Sequence, residues 1–150
     1  MAQEPKPDNE DRDQAFQYAV KFLCTANIPG TSQTTTSVLP GVYQTAVNIH
    51  NPNNQTVRLR EKITLGIGQT SAFVEDELKY DELLRMDCDQ IVNRFGPFIH
   101  GVEGFLIIES THSLDVTAVY TAGKRGDEVE SIAVEQIRER RMRTEWPGRE

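Results

Sequence analysis

The sequence predicts an all-β protein, a single antiparallel β-sandwich of about seven strands with one short helix and charged, flexible tails. Three observations favour this fold class. Apolar and polar residues alternate with a period of two along several segments. Clusters of Asn, Pro and Gly separate these segments. Strand and helix patterns do not alternate regularly, which argues against a parallel α/β domain.

The segment Gly104–Ala122 carries the strongest strand signal. A short apolar run at 105–108 leads through the turn 110–113 into a second arm that alternates as far as Ala122. We interpret this segment as the central β-hairpin. Five further strands are predicted, at Phe16–Cys24, Val42–Asn51, Thr56–Ile67, Leu83–Met86 and Val129–Ile137.

Local features refine three of these elements. The turn Asn51–Asn54 joins two of the strands, which we expect to pair as a second hairpin. A short helix is predicted over Gln90–Phe95, capped by Asp87 or Asp89. The last strand has an alternative, because 135–143 also suits a helix.

Both ends of the chain are charged, so we expect a domain at 15–137 between two tails. Residues 1–14 are acidic and have little to bury. Residues 138–150 are rich in arginine and contain the chain's single tryptophan. The tails are either solubilising ends or arms that dock on the opposite charge of another subunit. The candidate subunit-contact residues are Asp8, Asp11, Asp13, Arg138, Arg140, Arg141, Arg143 and Trp146.

Charge and hydropathy limit the classes of partner. The formal net charge of −7 argues against general nucleic-acid binding, because phosphate contacts need a basic surface. Apolar runs are too short for a membrane-spanning helix. The acidic, polar start is unlike a signal peptide, so we expect a cytoplasmic protein, or an exported one whose signal is absent from this sequence. Cys24 and Cys88 are interpreted as reduced core thiols in preference to a disulfide.

The sequence offers little evidence for chemistry. His50, His100 and His112 lie in three segments without ligand-spaced neighbours. Motifs of serine hydrolases, phosphate-binding loops and zinc proteases are missing. The acidic run 75–77 is interpreted as a solvated cluster, since its spacing does not match a calcium loop. We therefore predict a protein that is not an enzyme, with neither cofactor nor metal.

The long connection 25–37 is the first place where the sequence suggests binding. It contains the run Thr34, Thr35 and Thr36, and connections of this length are often functional or mobile. A plain surface loop is the alternative interpretation.

Two stretches resemble the small soluble proteins of the sensory rhodopsin transducer type. The first is Thr45–Pro52 followed by Val57–Arg60, and the second is Leu114–Thr121. The similarity covers roughly residues 42–122, and both charged tails depart from it. The resemblance implies a cytoplasmic homo-oligomer that binds a ligand or relays a signal without catalysis.

Two functions follow from these features. In the first, the protein is a structural subunit that self-associates through edge strands and oppositely charged tails. In the second, it is a ligand-binding or signal-relay module that uses loops such as 25–37 and 66–80. The first explains the tails and Trp146, which the second leaves unused.

Overall fold

The computed structural model of the chain describes residues 14–28, 30, 37–66, 68–98, 101–125 and 127–143. These residues form nine strands and one helix. The strands are β1 (Gln14–Asn27), β2 (Gly41–His50), β3 (Val57–Leu65), β4 (Val74–Leu78), β5 (Leu83–Met86), β6 (Val102–Ser110), β7 (Asp115–Gly123), β8 (Ser131–Gln136) and β9 (Arg140–Arg143). The helix α1 (Cys88–Phe95) lies between β5 and β6.

The strands pair in an antiparallel manner, in the order β4-β3-β6-β1-β2-β7-β8, with β5 on β2 and β9 on β1. Strand β1 belongs to two halves of the sheet, because residues 16–24 pair with β6 and residues 25–27 pair with β2. The all-β, antiparallel fold class is therefore confirmed. The described residues form nine strands where the sequence predicts about seven.

The two halves enclose one apolar core. The alternation seen in the sequence decides which side chains enter it, because neighbouring residues of a strand point to opposite faces. One half contributes Tyr18, Val20, Phe22, Val57, Leu59, Ile63, Leu106 and Ile108, and the other contributes Val47, Ile49, Met86, Val116 and Ala118. The alternation of apolar residues along β1, β2, β3 and β7 thus matches the buried faces of these strands.

Both predicted hairpins are wrong. Strand β6 pairs with β1 and β3, whereas β7 pairs with β2 and β8. The connection at 111–114 therefore carries the chain from one half of the sandwich to the other. The turn after β2 does the same, since β3 pairs with β4 and β6. The buried side chain of Asn51 holds this turn by donating hydrogen bonds to the carbonyls of Gln55 and Leu78, each at 2.9 Å.

Two strands, β4 and β9, were not predicted from the sequence because most of their residues are charged. The run 75–77 lies in β4, where Asp76 pairs in register with Leu59 and so faces the same side. Only Glu75 and Glu77 are exposed there, which corrects the prediction of a solvated cluster. Residues 140–143 of the arginine-rich tail are strand β9, hydrogen-bonded to β1 of the same chain.

The predicted short helix is confirmed and is fixed at its start. Asp87 is its N-cap, and its carboxylate accepts a hydrogen bond from the Gln90 N–H at 3.0 Å. Cys88 in its first turn forms a disulfide with Cys24 of β1, so the prediction of reduced thiols is wrong. The disulfide ties this eight-residue helix to β1 of the sheet. The two cysteines are 64 residues apart in the chain, and a disulfide that closes so long a loop stabilises the fold.

Candidate functional site: the open edge at strand β8

Strand β8 is the most exposed strand of the described structure. All six of its residues are exposed, although it pairs with β7 along its whole length. Ile132 and Val134 keep 64% and 69% of their surface accessible. Large β-branched residues at this exposure on one strand mark a surface suited to a partner.

Sheet B, defined here as β5, β2, β7 and β8, extends beyond the core at this strand. Ala118 is buried and pairs with Glu135, so the residues of β8 that alternate with Ile132 and Val134 face the interior side. Ser131, Ala133 and Glu135 are nevertheless exposed. The opposite sheet therefore stops short of β8, and both faces of this strand are open to solvent.

The backbone of β8 has a defined open side. The N–H of Ile137 donates to the carbonyl of Val116 at 2.9 Å, which makes this a hydrogen-bonded pair. Such pairs alternate along an antiparallel ladder, so 131, 133 and 135 bond to β7. The N–H and C=O groups of Ile132, Val134 and Gln136 then point away from β7. In the described residues no further strand pairs with this side.

Sequence reasoning selected other residues as contact candidates. It selected charged tail residues and did not select Ile132 or Val134, which share one face of β8. The available signal was the lack of charge on that face, because natural edge strands are usually protected by Lys, Pro or a bulge. The sequence of β8, SIAVEQ, contains neither Lys nor Pro.

The structure brings only part of the predicted contact set near this edge. Arg138 is exposed in the connection from β8 to β9. Arg140, Arg141 and Arg143 have exposed side chains on β9, and the Arg141 guanidinium lies 5.8 Å from the ring centre of Phe16. Outside the described residues lie Asp8, Asp11, Asp13, Trp146 and the loop candidates Thr34, Thr35 and Thr36.

A buried carboxylate lies under the helix. Glu61, which interrupts the apolar face of β3, is fully buried and both its oxygens lack a hydrogen-bond partner among the described residues. Burial, followed by the neighbouring Asp76 carboxylate, raises the pKa of Glu61 to about 9. Arg94 of α1 lies 4.0 Å from Glu61 but 2.5 Å from Asp76. Arg94 therefore joins the helix to β4, and Glu61 stays protonated at neutral pH.

A histidine with two carboxylate partners, His50, is the last residue of β2. The Nδ1 of His50 lies 2.9 Å from Asp115, and its Nε2 lies 2.7 Å from Asp81. Hydrogen bonds to Asp115 and then Asp81 raise the pKa of His50. The arrangement favours imidazolium, and within the described residues both hydrogen-bond partners of the ring are carboxylates. It is therefore an ion-pair cluster and not a catalytic dyad.

A groove of about 250 Å³ lies beside the disulfide. Its lining mixes hydrogen-bonding groups of Thr25, Tyr43 and Gln44 with the apolar side chain of Val92. This volume falls below the roughly 300–1,000 Å³ of typical small-molecule sites. The groove can hold only a small ligand.

Neither metal ligands nor a membrane helix is found in the part of the chain that the structure describes. No three His, Cys, Asp or Glu side chains there are arranged to hold a metal ion. None of the described helical structure has the length and apolar character needed to cross a membrane.

Comparison with known proteins supports the fold alone. No protein-family model and no curated protein sequence matches the chain. The fold is similar to the crystal structure of Thermotoga maritima 1070, with a TM-score of 0.54. The match covers 84% of this chain and 92% of that one, at 10% sequence identity.

Proposed function

We propose that this protein is a non-catalytic structural subunit that self-associates through its open strand β8. One observation carries the proposal: a strand with apolar, exposed side chains presents a row of backbone donors and acceptors that no strand of the described residues pairs with. Such an edge is a template for pairing with another strand. The proposed partner is a second copy of the same chain.

The charged tails have a smaller part in this proposal than the sequence suggested. Strand β9 pairs with β1 of the same chain, so the backbone of Arg140–Arg143 is engaged within the subunit. Its exposed arginines still supply positive charge for an acidic segment of a neighbour. Exposed ion pairs contribute little individually, so we assign the main association energy to β8 and a salt-sensitive addition to the arginines.

The alternative is a ligand-binding or signal-relay module of the sensory rhodopsin transducer type. The groove beside the Cys24–Cys88 disulfide favours it, because that groove offers both polar and apolar contacts. A cytoplasmic location stays a prediction. The disulfide argues for an oxidising compartment, since cytosolic thiols are usually kept reduced.

Mass in solution tests the proposal. We expect light scattering on a sizing column to give a concentration-dependent oligomer at low and at high salt, with weaker association at high salt. Val134→Lys, which places a charge on the open edge, should yield the monomer. Leu39→Lys is the matched control, because Leu39 is 80% exposed outside the strands. A monomer of 17.0 kDa at every concentration would exclude self-association.

A further inference from the structure

We infer that two copies pair through β8 in an antiparallel manner about a two-fold axis at Ala133. This inference rests on the proposed function and specifies its partner surface and register. The argument combines the open backbone side of β8 with the order of side chains along it.

The backbone restricts the possible registers. Only Ile132, Val134 and Gln136 present N–H and C=O groups to a new neighbour, so even-numbered residues of the two copies must oppose each other. In a symmetric antiparallel pair the residue numbers of every two opposed residues add up to the same total, which is twice the number of the residue at the axis. The two-fold axis can then fall on any residue of β8, but only axes at Ile132, Ala133 or Val134 oppose Ile132 and Val134 to each other or to their own copies.

The side chains favour the axis at Ala133. There Ile132 of each copy opposes Val134 of the other, and both pairs lie on the outer face, where these residues are now exposed. Ala133 meets its own copy in the closely spaced, non-hydrogen-bonded position, which suits its small side chain. An axis at Val134 would oppose Ile132 to Gln136. An axis at Ile132 would oppose Val134 to Glu130.

Charges flanking the strand fit the same register. Ser131 opposes Glu135, which keeps the two Glu135 carboxylates apart. Continued along the chain, the register brings Arg138 toward Glu128 and Glu130 of the second copy. All three are exposed in the single subunit. Arg138, which the sequence marked as a subunit-contact candidate, thus gains acidic partners.

The resulting contact extends sheet B across the axis. Each copy contributes the four strands of its sheet B, and the two β8 strands become interior strands of one continuous sheet. A two-fold contact of this kind uses the same surface on both subunits and closes on itself. The proposed assembly is therefore a dimer and not a filament.

Three single-cysteine variants test the register: Ile132→Cys, Ala133→Cys and Val134→Cys. Cysteines at the axis have Cα atoms about 4.5–5.5 Å apart, within the range that a disulfide bridges. We expect Ala133→Cys alone to give a covalent dimer under added oxidant, seen on a non-reducing gel. The native cysteines are already paired and give no background.

The outcomes separate this inference from the proposed function. Cross-linking of Ile132→Cys or Val134→Cys in place of Ala133→Cys would overturn the register while leaving self-association through β8 intact. An oligomer by light scattering with none of the three cross-linked would overturn two-fold pairing at all three of these axes, and with it the inferred register. A monomer by light scattering would overturn both. Charge reversal at Arg138→Glu should weaken the dimer, and adding Glu128→Arg should restore it.

Discussion

The hydroxyl of Tyr18 on β1 lies 2.9 Å from the carboxylate of Glu139, in the connection that leads from β8 to β9. The same hydroxyl accepts a hydrogen bond from the buried N–H of Leu114 at 2.7 Å. Burial raises the pKa of Tyr18 to about 12, so the hydroxyl keeps its proton. One side chain therefore connects the start of β7 and the approach to β9.

Removing this hydroxyl should destabilise the protein. Tyr18→Phe leaves the Leu114 N–H buried without its partner, at a cost of about 1–3 kcal/mol in the free energy of unfolding. Urea denaturation measures this change. Tyr80→Phe is the control, because Tyr80 is an exposed tyrosine and its variant should lie close to wild type. Equal stability of the two variants would contradict the role given to the Tyr18 hydroxyl.

The buried Glu61 should make stability depend on pH. Its carboxyl ionises near 4.5 in the unfolded chain and near 9 in the folded protein. Between these values folding takes up a proton, so the free energy of unfolding falls as pH rises from about 4.5 to 9. Glu61→Gln removes the titrating group and should be the more stable protein at pH 8, by more than about 1.4 kcal/mol.

Denaturation curves at several pH values distinguish this effect from general titration. Glu77→Gln is the matched control, because Glu77 is an exposed carboxylate on the neighbouring β4. It should keep the wild-type slope. An unchanged slope in Glu61→Gln would show that Glu61 does not carry the pH dependence.

The ion pairs of protonated His50 should also make the free energy of unfolding fall as pH rises. Asp115 and Asp81 raise the pKa of His50 above its ordinary 6.5. Its stabilisation is fully present below about 6.5 and is lost as pH rises through the raised folded pKa. NMR titration of the imidazole should show this pKa fall in Asp115→Asn but not in Asp127→Asn. The same pKa in both variants would contradict the contact.

Loss of the disulfide should be costly. The cysteines are 64 residues apart, and closing a loop of that size corresponds to roughly 4 kcal/mol of chain entropy. The double variant Cys24→Ser/Cys88→Ser should unfold at correspondingly lower denaturant, and wild type with added reductant should behave like it. Two titratable thiols in the oxidised, folded wild type would contradict the pairing.

The sequence was sufficient for individual elements and insufficient for their pairing. Alternation alone identifies the buried faces of β1, β2, β3 and β7, because burial on one side of a strand has period two. It does not distinguish a hairpin from a connection between sheets. The short turns at 51–54 and 110–113 suit either, and long-range packing decides. The Cys24–Cys88 disulfide was missed for the same reason, since the pairing depends on long-range packing that places α1 over β1.

Strands of charged residues were hidden for a related reason. In β4, VEDEL, Val74 and Leu78 flank an inward-facing Asp76 that Arg94 neutralises, so the apolar pattern is broken by an ion pair. The open edge at β8 was also hidden. Ile132 and Val134 have the pattern of a core face, but the register with β7 turns them to the outer face, where nothing in the described subunit covers them.

Amide hydrogen exchange at β8 tests the central claim most directly. The N–H groups of Ile132 and Val134 point to the open side, whereas those of Ala133 and Glu135 bond to β7. We expect exchange at 132 and 134 to slow as protein concentration rises, and to stay fast in Val134→Lys at position 132. Fast exchange at 132 and 134 at every concentration, with 133 and 135 protected, would contradict pairing through this edge.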